Sequence, residues 1–190
     1  MTREEALQKL KDLIKNENLI KHHLACEAVM INLYRYFNPQ SENSIEEGKW
    51  GLVGLLHDAD YELTKDNPER HTLVLEEKLG GQLPPEVVYA IKSHNWKNNG
   101  VEPKSKMDWS IYCADELTGL IIAAALVHPD KKLSSLNTDF ILNRFNEKSF
   151  AKGASRDQIE MCEEKLGIPL KNFIDISLFA MQQISSDLSL

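Results

Sequence analysis

Residues 107–127, MDWSIYCADELTGLIIAAALV, decide the fold class. Apolar residues lie on all sides of a helix drawn through them, which is typical of a helix buried at the centre of a protein. The run ends before Pro129, which cannot continue a helix. Asp115 lies in the middle of it, and a buried carboxylate is costly unless it is paired or binds a cation. The stretch therefore predicts a central helix that carries a functional carboxylate.

Helix signals surround this stretch on both sides. Three pairs of residues have the spacing of a capping box, which predicts a helix start. These pairs are Thr2 and Glu5, Ser44 and Glu47, and Ser155 and Gln158. Gly80-Gly81 is typical of a helix end and Pro84-Pro85 of a helix start, and no useful stretch alternates as a strand does. The sequence predicts an all-α protein, with a helical bundle in residues 1–130 and a C-terminal helical extension, 131–190, packed on the same domain.

The composition excludes several classes of protein. Hydrophobic residues make up 42% and charged residues 27% of the 190, as in ordinary globular proteins, and the net charge of −7 repels nucleic-acid polymers. The three cysteines form no CxxC pair, which argues against a disulfide framework. The longest apolar run, residues 117–127, is shorter than the roughly 20 residues that a membrane span needs. We expect a cytoplasmic protein that binds a small-molecule substrate and no membrane; the oligomeric state stays open.

Four of the six histidines form an ordered series with two aspartates. The series is His22, His57-Asp58, His71, His94 and Asp115. Each histidine lies on or beside an apolar helical stripe, and helices that bring imidazoles and carboxylates together in a bundle core build metal sites. His23 points about 100° away from His22 and is expected to be solvated. Cys26, one turn after His22, is expected to be a small buried side chain.

This series resembles the metal-binding signature of HD-domain proteins, in their HDIG-like, six-ligand variant. The resemblance covers about residues 19–126. The matching segments are Leu19-Ile20-Lys21-His22, Gly54-Leu55-Leu56-His57-Asp58, Ile91-Lys92-Ser93-His94 and Cys113-Ala114-Asp115-Glu116-Leu117. A bare His-Asp pair carries no information, whereas the whole ordered series on helical segments is specific.

The resemblance implies an HD domain in residues 1–130, with a metal-binding core at about 19–127. It implies that His22, His57, Asp58 and Asp115 hold one divalent transition metal ion. His71 and His94 match the ligands of a second ion, which Asp58 bridges to the first. Manganese, iron, zinc, cobalt and magnesium are not distinguished. The implied function is hydrolysis of a small phosphoester or nucleotide-like substrate by metal-activated hydroxide, with Asp58 as a catalytic residue.

The chain departs from the family pattern after His57-Asp58, here called the dyad. Many relatives continue as His-Asp-Ile-Gly-Lys, and the lysine can bind phosphate, whereas this chain reads His57-Asp58-Ala59-Asp60-Tyr61. Asp60 is a candidate acid–base residue or, equally, a surface carboxylate at a helix end. The candidates for binding the substrate are Tyr61, Lys65, Trp96 and Lys97, with Arg70 and Lys92 as further sources of positive charge. Trp96 and Lys97 begin a loop predicted over residues 95–106.

Two alternatives to a hydrolase stay open. Some relatives with a similar six-ligand pattern use a pair of irons to activate oxygen, and the missing lysine favours that chemistry slightly. The second alternative is a non-catalytic, metal-stabilised module that binds a ligand and signals by its shape.

Overall fold

All regular structure in the computed structural model, which describes residues 1–190, is helical, so the predicted all-α class is confirmed. The helices are α1 (Arg3–Leu13), α2 (Glu17–Phe37), α3 (Ser44–Leu56), α4 (Tyr61–Thr64), α5 (Leu73–Leu79), α6 (Pro85–His94), α7 (Trp96–Asn99), α8 (Lys106–Val127), α9 (Thr138–Asn146), α10 (Arg156–Met161), α11 (Leu170–Gln183) and α12 (Ser185–Leu188). Short 3₁₀ turns lie at Gly80–Gln82 and Leu133–Ser135, and a π-helical turn at Cys162–Leu166 continues α10.

Helix α8 is the central element, as its composition predicts. Fourteen of its 22 residues are buried, and it packs against α2, α6, α10 and α11. By length and composition alone this helix could cross a membrane, but 61% of its most apolar window is buried inside the protein. That burial is the behaviour of a core helix.

Helices α2 and α3 approach each other closely at Gly54. A Cβ atom at this position would lie 2.5 Å from the backbone oxygen of Cys26, so only glycine fits. Because the two backbones almost touch, the end of α3 is held beside the middle of α2. The contact places His57, directly after α3, next to His22 on α2.

Two predicted capping boxes are wrong in detail. The cap of α3 is Asn43, whose side chain accepts a hydrogen bond from the backbone of Glu46, and Ser44 is the first helical residue. Ser155 does cap α10, but the Gln158 side chain donates to the Tyr112 backbone oxygen on α8 instead of folding back. Buried polar groups need hydrogen-bond partners, and this bond satisfies the buried amide of Gln158.

Residues 131–190 pack onto the same helices that carry the predicted ligands. Helix α10 contacts α8, and α11 contacts both α2 and α8. The buried apolar residues form one continuous core that runs from Ala6 in α1 to Leu188 in α12. The division of the chain at residue 130 stays a prediction.

Candidate metal centre

The first triad consists of His22, His57 and Asp115. They come from α2, the end of α3 and the middle of α8. His22 Nε2 lies 3.0 Å from Asp115 Oδ1 and 3.2 Å from His57 Nε2, and His57 Nε2 lies 3.5 Å from Asp115 Oδ1. The His57 side chain is fully buried, whereas those of His22 and Asp115 are 16% and 21% exposed. The triad therefore opens to solvent on the side of α2 and α8.

The second triad consists of Asp58, His71 and His94. Asp58 Oδ1 lies 2.9 Å from His71 Nε2 and 3.1 Å from His94 Nε2, and the two imidazole nitrogens are 3.2 Å apart. His71 lies in the turn before α5, and the next residue, Thr72, has a φ of +73°, which is strained for a β-branched residue. The Asn95 amide donates to the backbone oxygen of His71 and holds this turn in place.

Asp58 connects the two triads. Its Oδ1 faces the second triad, while its Oδ2 lies 3.9 Å from His57 Nε2 in the first. The carboxylate thus turns one oxygen to each set of ligands, as expected for a bridging residue. All six residues of the predicted series meet at one place in the fold.

The four histidines of the predicted series share a hydrogen-bonding arrangement. His57 Nδ1 donates to the Gly54 backbone oxygen, and His94 Nδ1 donates to that of Ile91. His71 Nδ1 donates to Asp60 Oδ1 at 2.7 Å.

His22 completes the arrangement through Thr118. The hydroxyl of Thr118 donates to the Asp115 backbone oxygen, so its own oxygen is free to accept from His22 Nδ1 at 3.2 Å. Because every Nδ1 has an acceptor for its proton, every Nε2 faces the centre and can offer a lone pair to a metal ion once the proton on Nε2 is displaced. Such partners fix the tautomer and orientation of metal-binding histidines.

The spacing of the donor atoms fits bound metal ions. Two nitrogen ligands at about 2.0–2.1 Å from a shared ion lie roughly 2.8–3.4 Å apart, for octahedral to tetrahedral angles. The 3.2 Å separations of His22 from His57 and of His71 from His94 fall within that range. Cys26 Sγ, 3.8 Å from His22 Nε2, is a further potential donor at the first triad. Each triad could hold one ion.

The pKa values show how strongly these groups interact. Burial would raise the pKa values of Asp58 and Asp115, but the facing imidazoles lower both below their usual range. Burial would lower the pKa of His57, yet mainly the charge of Asp58 raises it to about 9. The pKa of His71 rises to about 10 against burial, because hydrogen bonds to Asp58 and Asp60 favour its charged form. In the metal-free protein, protons on the imidazoles therefore balance the carboxylates.

Asp60 belongs to the shell around the ligands. The alternative of a surface carboxylate is wrong, because its side chain is fully buried. One oxygen accepts from His71 Nδ1 and the other from the Leu75 backbone at 2.9 Å. Both oxygens are thus occupied by protein donors, which fits a positioning residue and leaves no oxygen directed at a substrate. Glu62, by contrast, accepts from the backbones of Lys15 and Asn16 at the start of α2.

The prediction of a solvated His23 is wrong. Its side chain is fully buried, neither ring nitrogen has a hydrogen-bond partner, and its ring lies 5.0 Å from that of His57. Burial and the nearby His57 charge keep its pKa well below the usual range, so it is neutral. Helix α3 packs against α2, and His57 at its end covers the ring of His23.

The predicted substrate-binding residues do not form one group. Tyr61 is 43% exposed, and its ring stands perpendicular to that of His71 at 6.2 Å, so it borders the second triad. Lys65, four residues after Tyr61 in the chain, is exposed. Trp96 and Lys97 lie on the short helix α7, inside the predicted loop, and both contact Tyr112 of α8.

Two further candidate charges are already paired. Arg70 is bound by Glu77 and Lys92 by Glu76, each at 2.7 Å or less. Neither side chain is free to compensate for the missing lysine without breaking an ion pair.

No protein-family model, curated protein or solved structure matches this chain. The case for a metal centre therefore rests on its own geometry. A helical protein with a buried His/Asp cluster that could hold metal ions is compatible with an HD-like fold.

Proposed function

We propose that this chain is a metal-dependent phosphohydrolase of the HD-domain superfamily, acting on a small phosphoester or nucleotide-like substrate. The observation that carries the proposal is the pair of triads joined by Asp58. Two divalent ions at such a centre would lower the pKa of a water molecule and stabilise the negative charge of a phosphoryl group.

The protein's own residues prepare the centre for this chemistry. Asp58 keeps the two sets of ligands at a fixed spacing, and the buried His57 is held by Gly54. Asp60 keeps His71 in the tautomer that offers Nε2. Because these contacts exist before any ligand binds, little reorganisation is needed when the substrate arrives.

Metal analysis and a phosphatase assay test the proposal together. Elemental analysis of the native protein should find one to two equivalents of transition metal, and a panel of phosphoesters with manganese, iron, cobalt or magnesium should reveal hydrolysis. His94→Ala should lose the second ion and the activity, whereas His128→Ala, outside both triads, should keep them. No bound metal after reconstitution with iron or manganese would contradict the proposal.

A second candidate function is oxygen activation by two irons. Each triad offers two histidines and one carboxylate, the ligand set of many non-haem iron oxygenases. Iron-specific uptake with oxygen consumption on candidate substrates, and no phosphoester hydrolysis with any metal, would favour this chemistry. A protein that binds metal but shows neither activity fits the non-catalytic module instead.

A further inference from the structure

A cavity of about 360 Å³ opens onto the first triad. His22, Asp115 and Glu116 line one wall, and Ala151, Gly153 and Ala154 of the C-terminal extension line the other. Gly119, one turn after Asp115 on α8, adds no side chain to the space. The C-terminal extension thus faces the ligands that are exposed to solvent.

The turn formed by residues 150–155, here called the 150s turn, is organised by a single side chain. The Arg156 guanidinium donates to the backbone oxygens of Phe150, Ala151 and Ala154 at 2.6–2.8 Å. The turn is also tied to α8, because the Ser155 amide donates to Glu116 at 2.9 Å. These bonds gather the carbonyl oxygens of the turn around Arg156 and fix its position over the cavity.

The amide groups of the same turn are left free. The backbone N–H groups of Ala151, Lys152 and Gly153 donate to no acceptor in the protein. Ala151 has a φ of +42°, and successive amides in such a turn form concavities that bind anions. Lys152, between two residues that line the cavity, is exposed and makes no ion pair.

We propose that the 150s turn binds the phosphate group of the substrate, through its free amides and the Lys152 ammonium group, across the cavity from the first triad. The inference rests on the proposed hydrolase and names the source of the positive charge that Tyr61 does not supply. It also gives the C-terminal extension a role in the site.

The acidic residues of the cavity do not prevent phosphate binding when both ions are present. Asp115 and Glu116, which line the cavity, contribute two negative charges at most, whereas a divalent ion at the first triad contributes two positive charges and Lys152 a third. Bound cations are often the largest local charges at such sites, so the loaded centre attracts an anion. The metal-free protein lacks the charge of the ions and should bind the anion more weakly.

Calorimetric titration of inorganic phosphate into the manganese-loaded full-length protein tests the proposal. The wild type should bind phosphate, and Lys152→Gln should weaken the affinity about tenfold, because a charge-assisted hydrogen bond contributes roughly that much. Lys148→Gln removes the same charge from an exposed residue outside the turn and should bind phosphate like the wild type.

A second variant fills the cavity. A side chain at Gly119 meets no atom within 4 Å at its Cβ, and leucine favours a helix over glycine, so Gly119→Leu should fold. It should keep its manganese and lose phosphate binding. Gly48→Leu, at an equally open helical glycine of α3, is the matched control and should bind phosphate normally.

The outcomes separate this inference from the proposed function. Wild-type phosphate affinity in both Lys152→Gln and Gly119→Leu would place the anion elsewhere and overturn the inference, while the hydrolase would stand. Failure of the manganese-loaded wild type to bind phosphate would overturn it as well. Failure to bind manganese would contradict the proposed function first, and the inference with it.

Discussion

The imidazole of His71 is held at both nitrogens, by Asp58 at Nε2 and by Asp60 at Nδ1. His71 offers Nε2 as a candidate metal ligand, and Asp60 orients the ring from the opposite nitrogen. A hydrogen-bond partner behind a metal-binding histidine is typically worth ten- to a hundredfold in metal affinity. The buried Asp60 would therefore act on an ion held by His71 without touching it.

We expect Asp60→Asn to weaken binding of the second ion by about ten- to a hundredfold and to leave the first ion bound. Metal titration followed by elemental analysis measures the two sites. Glu62→Gln makes the same chemical change two residues later, at a partly exposed carboxylate outside both triads, and should retain both ions. Equal loss of both ions in Asp60→Asn would contradict a role specific to His71.

His23 offers the opposite case, a buried polar side chain without partners. Replacing such a group by an apolar one removes a desolvation cost of about 1–3 kcal/mol. We expect His23→Leu to raise the free energy of unfolding by about 1 kcal/mol and to retain both ions. Urea denaturation and metal analysis check the two expectations, and loss of either ion would mean that His23 supports the centre.

The residue scale shows where inference from sequence stops. The ordered series predicts all six residues that meet, because helical spacing and buried carboxylates are local signals. The environments of Asp60 and His23 depend on α5 and α3 folding over them, and the residues around each carry no sign of those contacts. Which face of a helix a residue occupies is therefore predictable, whereas what covers that face is not.

At the scale of elements, the crossing of α2 and α3 sets the distance between His22 and His57 within the first triad. Gly54→Ala forces a Cβ against the backbone at Cys26 and should destabilise the protein by about 1–3 kcal/mol, as overpacking does. It should also lower the affinity of the first triad for its metal ion, because His57 moves away from His22. Thermal melting and metal titration measure both effects.

Gly48→Ala is the matched control on the same helix. Its Cβ meets nothing within 4 Å, and alanine in a helix is favoured over glycine by about 0.5–1 kcal/mol. The protein should become slightly more stable and keep both ions. Similar destabilisation by the two substitutions would show that the close approach at Gly54 is not what positions the dyad.

The C-terminal extension is the element whose position the sequence did not reveal. Its helices were predicted from caps and apolar spacing, but the 150s turn lies more than 30 residues after Asp115 in the chain. Nothing local marks Ala151 or Gly153 as neighbours of a metal centre. Only the packing of α10 on α8 brings them there, together with the hydrogen bond from Ser155 to Glu116.

At the scale of the whole molecule, the centre couples metal binding to pH and stability. In the folded metal-free protein, the pKa values of His57 and His71 are about 9 and about 10, against an ordinary value of 6.5. A raised histidine pKa contributes stability that is fully present below pH 6.5 and is lost as the pH rises through 9–10. The lowered pKa values of Asp58 and Asp115 contribute stability that is lost only in acid.

Bound metal ions should offset the loss of stability that the metal-free protein suffers at alkaline pH. An ion binds the unprotonated imidazole, so it must displace the protons of His57 and His71, and its affinity should rise with pH. Because the ion binds the folded state, the metal-loaded protein gains stability over the pH range in which the metal-free protein loses it.

We expect the difference in melting temperature between the two forms to widen steadily from pH 6 to pH 9. Calorimetry in buffers of different ionisation enthalpy should also detect proton release on metal binding at pH 7. A difference in melting temperature that stays constant or narrows with rising pH would mean that the ions do not replace these protons, and that they bind outside the two triads.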